Sequence, residues 1–275
     1  MSARGHSPVP GPGHRLWLGV LLAAVVLAGG RVSGAAPVLA LWRLDCGTFT
    51  TRHLTDSCYL IRHGHELMLW DTGLGAELLH RPLRQRNGSL AVVHRTIASQ
   101  LAILGLQPRQ IDIVALSHVH TDHIGQAASF ARARLIVGRK DWEILTASPP
   151  AAILEPARLR PWIEGRAAKT LVDGDYDVFG DDSVVMLATP GHTPGHHSLL
   201  VRLRTFGPVL LTGDLYDSRL QRRRQEPAPH DFDRASALQS FRRFERLAAK
   251  LHATVIIQHD AADIGRLPPF PRAAE

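Results

Sequence analysis

Residues 117–123 read SHVHTDH, three histidines and an aspartate packed within 118–123, directly after the apolar run IDIVAL at 111–116. A short Ile- and Val-rich strand that ends in coordinating side chains is the stretch on which the fold turns. With 16 histidines in 275 residues chance pairs are common, and HGH at 63–65 is read as one of them. In an extended segment alternate side chains share a face, so His118, His120 and Asp122 are expected on one side and His123 on the other as the chain turns. Four donors from one loop can serve two adjacent ions. A structural zinc is closed by four protein ligands in a tetrahedron, whereas two ions about 3.5–4 Å apart need a bridging group and further histidines.

The rest of the chain supplies them, each time where a strand runs out. MLATPGH ends at His192, VLLTGD at Asp214 and TVIIQH at His259. Strand ends converging on one rim are where α/β folds assemble sites. Around these, VLALWRLDCGTF (38–49) and CYLIRHGHELMLWDTG (58–73) read as strands and a hairpin. Leu90, Val93, Ile97, Leu101 and Leu104 recur at helical spacing after Ser89 and stop at Gly105 and Pro108. RLIVG (134–138), SVVMLATPG (183–191), HHSLLVRLR (196–204) and GPVLLTGD (207–214) follow as strands. Leu238, Phe241, Phe244, Leu247 and Leu251 form one helical stripe with Asp233 as N-cap. Strand pairs, a helix, more strands and another helix, with no repeat and no Gly/Pro linker, predict a single α/β sandwich of two sheets between helical layers.

The first 35 residues stand apart. Arg4, His14 and Arg15 precede LWLGVLLAAVVLAGG, and small residues follow, the order of a secretory signal peptide cleaved after Gly34 or Ala35. The expected division is therefore a leader at 1–35 and a catalytic domain at 36–275, periplasmic or secreted, with an uncleaved membrane anchor as the alternative. Loss of three leader arginines lowers the formal charge from +7 to +4, and no nucleic-acid partner is implied. The basic run QRRRQ at 221–225 lacks interleaved aromatics for stacking bases and reads as a solvated loop face. Export would put Cys46 and Cys58 where a disulfide can form, but two buried thiols satisfy the sequence equally.

The order His118-x-His120-x-Asp122-His123, then His192, Asp214 and His259, with DTG at 71–73 upstream, resembles the metallo-β-lactamase superfamily over about residues 38–262. LDCG, CYLI, LWDTG, SHVHTDHIG, TPGHTPGHHSLLV, GPVLLTGD and IIQHD together look most like the N-acyl homoserine lactonases, enzymes that destroy bacterial quorum signals. The resemblance implies a four-layer αββα sandwich and two Zn²⁺ ions. His118, His120 and His192 would hold one ion, Asp122, His123 and His259 the other, and Asp214 would bridge them, with Asp71 hydrogen-bonding behind the ligands. His196 and His197 begin a strand and are not carried over. The implied activity is opening of an acylated lactone by a metal-bridging hydroxide, with Asp122 shuttling the proton to the leaving oxygen. In that family a tyrosine shortly after the bridging aspartate contacts substrate. Tyr216 is the candidate here, although it stands only two places after Asp214. Met68, Leu74, Phe130 and Trp142 are apolar candidates for the acyl-chain wall.

Competing readings keep the scaffold and change the chemistry. A β-lactamase of this superfamily usually lacks the equivalents of His123 and Asp214. A glyoxalase-like thioesterase would need a further helical domain, for which the 16 residues after His259 are expected to leave no room. Phosphotriester hydrolysis would use the same ligands in a differently shaped cleft. Iron-dependent redox relatives commonly carry a glutamate where His120 stands, and imidazole there suits zinc.

Overall fold

The computed structural model describes residues 38–50, 54–85, 88–151 and 153–275, with 1–3 and 5. The leader reading therefore lies almost wholly outside the described residues. From Pro37 to Glu275 the chain is one compact unit.

Eight strands make the first sheet: β1 (Leu39–Phe49), β2 (Leu54–His63), β3 (Glu66–Trp70), β4 (Leu83–Arg84), β5 (Leu90–Val92), β6 (Ile113–Ala115), β7 (Arg134–Gly138) and β8 (Lys169–Val172). They lie in the order β4-β5-β1-β2-β3-β6-β7-β8. The second sheet holds β9 (Tyr176–Asp177), β10 (Val184–Ala188), β11 (His197–Leu203), β12 (Gly207–Leu211) and β13 (Thr254–Ile256), in the order β13-β12-β11-β10-β9. The α-helices are α1 (Ile97–Ile103), α2 (Thr121–Ile124), α3 (Arg139–Leu145), α4 (Arg160–Ile163), α5 (Arg219–Arg224) and α6 (Arg234–Leu251).

The two-residue period of a strand sorts side chains into layers. Met68 and Trp70 of β3 turn inward to meet Met186, Leu199, Val201 and Leu211 of the second sheet in the central core. Leu67 and Leu69 turn outward to a core shared with Ile97 and Leu101 of α1 and with Trp142 and Leu145 of α3. On the far side Leu200, Leu210 and Val255 pack under Phe241 and Phe244 of α6. The result is helix, sheet, sheet, helix, as the sequence led us to expect. β6 is buried on both faces, which is why IDIVAL shows no alternation.

α6 starts where Asp233 accepts from the N–H groups of Ala235 (2.9 Å) and Ser236 (3.3 Å), and it ends at His252 in the left-handed region. Two local readings need correction. Leu90–Val92 is a strand paired with β1 and β4, and α1 begins only at Ile97, capped by Thr96 rather than Ser89. Hydrophobic spacing could not separate the two elements because Leu90, Val93 and Ile97 happen to fit one period. QRRRQ is helical rather than a loop: Ser218 caps α5, and Gln225 closes it in the left-handed conformation.

β6 runs parallel to β3, and β13 parallel to β12, while β10 and β12 both run antiparallel to β11. The strands ahead of Asp71, His118, His192, Asp214 and His259 thus point the same way within each sheet and deliver their last residues to one rim. Cys46 and Cys58 form a disulfide between β1 and β2, with Cα atoms 5.8 Å apart. It backs that rim, because a side chain at Gly73 would strike Cys46. Replacing both cysteines by serine is expected to lower unfolding stability by about 3 kcal/mol, the scale for a short closed loop; urea titration of the two proteins measures it.

Candidate metal centre

The opening motif does not stay extended. After His120 the chain turns into α2, with the His123 N–H donating to the His120 carbonyl (3.0 Å). This swings Asp122 away from His118 and His120 and into a group with His123 and His259. The strand-alternation expectation for Asp122 is corrected accordingly. Among the described residues the other such groups are His118, His120 and His192, then His118, His123 and Asp214, and, beside them, His192 with His230 and Asp231. All seven expected ligands come together.

Within the first cluster, His120 Nδ1 lies 2.9 Å from His118 Nε2 and 3.0 Å from His192 Nε2. Three nitrogens so placed approach one face of a tetrahedron, whose edge for zinc–imidazole bonds of about 2.0–2.1 Å is about 3.3 Å. Asp214 reaches both sides. Its Oδ2 is 3.8 Å from His118 Nε2 and 3.5 Å from His192 Nε2, while its Oδ1 is 3.2 Å from His123 Nε2 and 3.0 Å from His259 Nε2. His123 Nε2 and Asp214 Oδ1 are buried without a hydrogen-bond partner among the described residues. Leaving such atoms unsatisfied costs about 1–3 kcal/mol each. Donor atoms aimed at shared points, two of them without a well-formed hydrogen bond among the described residues, fit cation binding.

The opposite ring nitrogens are held from behind, which selects the tautomer that aims a lone pair inward. His259 Nδ1 donates to the Thr55 carbonyl (2.7 Å), His123 Nδ1 contacts Asp71 Oδ2 (3.0 Å), His118 Nδ1 contacts Ser117 Oγ (3.0 Å), and His192 Nδ1 contacts Asp231 Oδ1 (3.3 Å). Asp71 also accepts from Ser117 N and Oγ (2.7 and 2.8 Å) and from Gln258 Nε2 (2.8 Å). Asp141 fixes the His192 loop by accepting from Thr193 Oγ1 (2.7 Å) and Gly195 N (2.6 Å). Burial outweighs those two bonds and pushes its carboxyl up to about 6.

His196 and His197 are not among the clustered ligands. His196 Nε2 accepts from the Asp214 N–H (3.0 Å) and so steers the bridging candidate, and His197 spans the carbonyls of Gly195 and Gly174. Gly213 must be glycine because a Cβ there would lie 2.7 Å from His196 Nε2. Ser117 and Gln258 were within reach of sequence reasoning, each a polar residue directly before a ligand at a strand end. Asp141, Asp231 and His196 gave no such signal.

Above the cluster opens a cleft of ≈ 370 Å³, walled by Phe49, Leu54 and Ile153 and by the polar Gln85, Asp217 and His230. Tyr216 is not there. Its ring packs on Phe241 and Phe244, and its hydroxyl donates to Glu245 (3.1 Å). Met68, Leu74, Phe130 and Trp142 are likewise core residues rather than cleft wall.

Residues 53–259 match the sequence profile of the Metallo-beta-lactamase superfamily. The chain belongs to this superfamily. Among its members, the N-acyl homoserine lactonase AttM of Azorhizobium caulinodans is 30% identical over 74% of this chain and 80% of its own length. An N-acyl homoserine lactonase of a Bacillus species is 30% identical over 78% of this chain and 85% of its own. In fold the chain is similar to a solved N-acyl homoserine lactone hydrolase with N-hexanoyl-L-homoserine at its catalytic metal centre: TM-score 0.73 at 23% identity, over 86% of this chain and 99% of that one. The protein is thus a metal-dependent hydrolase of the metallo-β-lactamase fold, with a His/Asp cluster suited to metal.

The charges of this superfamily member's site are unevenly placed. Burial, then the neighbouring His123, pushes His118 down; burial, then His192, pushes His120 down to about 4. Burial also pulls on His123 and His259, but Asp214 leads the charges that reverse it, and both end above the usual range, His259 at about 10. Asp214 is held well below the carboxylate range, since His259, His123 and His118 outweigh the burial that opposes them.

Two outcomes follow. His123 and His259 must lose protons before they can coordinate, so metal uptake releases protons, and affinity should fall at least about tenfold from about pH 8 to pH 6; calorimetry in buffers of different ionisation enthalpy reads the release. Asp71→Asn keeps a residue that tolerates the left-handed backbone found there (φ 59°) but loses the charge behind His123. It should weaken metal binding about 10–100-fold, as read by chelator competition.

Proposed function

We propose that this protein holds two Zn²⁺ ions and opens the lactone ring of N-acyl homoserine lactones or closely similar lactones. The observation that carries the reading is Asp214, whose two oxygens face the His118/His192 side and the His123/His259 side respectively. That is the arrangement a bridging carboxylate needs between two cations. His118, His120 and His192 would hold one ion, and Asp122, His123 and His259 the other. The substrate class rests on relatives named N-acyl homoserine lactonase at 30% identity.

Bound zinc supplies a nucleophile near neutral pH and Lewis acidity toward a carbonyl oxygen. The chain's own groups do the rest. Phe49, Leu54 and Ile153 give the acyl chain an apolar wall and exclude water from it. Asp122 has 22% of its side chain exposed and lines the same cleft, so one of its carboxyl oxygens carries the proton to the ring oxygen as the C–O bond breaks. We also propose that the chain works outside the cytoplasm, cleaved from its leader or anchored by it. The apolar run at 16–27 and the Cys46–Cys58 disulfide support that placement.

The zinc-loaded chain should hydrolyse N-acyl homoserine lactones, lose turnover to chelator and regain it with Zn²⁺. Asp214→Asn should lower kcat/KM at least about 100-fold, and Asp122→Asn should lower kcat about 10²–10⁴-fold. A substrate panel decides the class: metal-dependent turnover of thioesters or phosphotriesters with none on lactones would overturn it.

A further inference from the structure

The basic run that the metal cleft leaves unused has a place of its own. α5, α6 and the turn at Ala261–Arg266 enclose a concave pocket of ≈ 860 Å³ that shares no lining residue with the metal cleft. Six arginines face two acids there, Glu245 and Asp263, a formal excess of four positive charges. This equals the whole formal excess of the chain beyond residue 35. The basicity is concentrated, not spread.

Both acids are already committed. Buried Asp263 accepts from Ile257 N through Oδ2 (2.8 Å) and from Arg219 Nε through Oδ1 (2.8 Å). Glu245 takes Arg222 in a fork through Nε and Nη2 (2.8 and 2.9 Å) and also accepts from the Tyr216 hydroxyl. These bonds hold Arg219 and Arg222 in place through Nε and Nη2. Among the described residues they leave Nη1 of each without an internal partner. Arg223, Arg242 and Arg246 line the same pocket and have no hydrogen bond or ion pair among the described residues. Arg242 and Arg246 stand one turn apart on α6, a like-charge spacing that weakens a helix. Arg223, Arg242 and Arg246 add charge here that no internal acid offsets among the described residues. An anion would relieve it, meeting two tethered guanidinium groups already oriented and three free ones around them.

We propose that this pocket binds a phosphate-bearing anion of at least two negative charges, either free or as a lipid headgroup. Guanidinium groups pair with phosphate oxygens in bidentate fashion, and the volume exceeds what one phosphate fills. No aromatic side chain lines the pocket, which sets it apart from surfaces that stack nucleic-acid bases. The proposal does not rest on the lactonase reading.

The test uses the full metal-loaded chain, a variant with Arg223→Ala, Arg242→Ala and Arg246→Ala, and a control with Arg81→Ala, Arg109→Ala and Arg132→Ala. Both variants lose the same charge from exposed positions. Circular dichroism and Tm check that each folds. One arm titrates inorganic pyrophosphate by calorimetry; the other sediments the proteins with phosphatidylcholine vesicles with and without cardiolipin, whose headgroup carries two phosphates. The metal cleft and leader are the same in all three proteins, so binding through either is common background. We expect binding in at least one arm to weaken at least about tenfold in the pocket variant and to persist in the control; the arm that responds names the source of the phosphate. Binding in neither arm, or binding that both variants change alike or not at all, overturns the proposal.

Discussion

The carboxylate of Asp71 is fully buried and accepts from Ser117 at two atoms and from Gln258, with His123 as its fourth contact. Those partners lie after β6, in α2 and after β13, so one side chain ties the ends of both sheets together. A buried charge is tolerated only when it is paired and hydrogen-bonded. That requirement fixes the separation and register of the sheet ends to within hydrogen-bond tolerance. It also explains why a non-glycine residue is held at φ 59°: the backbone strain is offset by bonds available in no other conformation.

From that knot the metal centre follows as a problem of unmatched lone pairs. The sheets bring five imidazoles and two carboxylates together, and their outer atoms are satisfied by Thr55, Ser117, Asp71 and Asp231. Their inner atoms are not all satisfied by one another, as the unpartnered His123 Nε2 and Asp214 Oδ1 show. Asp214 holds His123 and His259 above the usual imidazole range, and the three groups offset one another's charge. A cation performs that balance better because it can accept several lone pairs at once.

The clustering histidines and aspartates were legible in the sequence because they follow the ends of apolar runs, and a run of Val, Ile and Leu is a robust sign of a buried strand. The layers were legible for the same reason. What stayed hidden depends on side-chain direction in short irregular segments. Asp122 changed partners because one helical turn begins at Thr121, and nothing in HTDH announces it. Asp141 and Asp231 act across 52 and 39 positions of sequence, distances at which no local pattern exists. The cleft's apolar wall was misplaced because large hydrophobic residues in the core and at a rim are chemically identical.

Tyr216 shows how a short turn redirects a side chain. Residues Gly213–Leu215 form a 3₁₀ turn, and only at Tyr216 does the backbone become extended again. Asp214 consequently faces the histidine cluster, whereas Leu215 and Tyr216 fall into the core beneath α6, and Asp217 returns to the cleft. There it lies 3.6 Å from His230 across the opening, and His230 is edge-on to the ring of His192. The polar wall next to the histidine cluster is thus an acid and an imidazole rather than a phenol. Tyr216 instead donates to Glu245 and helps fix Arg222, so the segment after Asp214 shapes both concave surfaces of the molecule, the cleft through Asp217 and the arginine pocket through Tyr216.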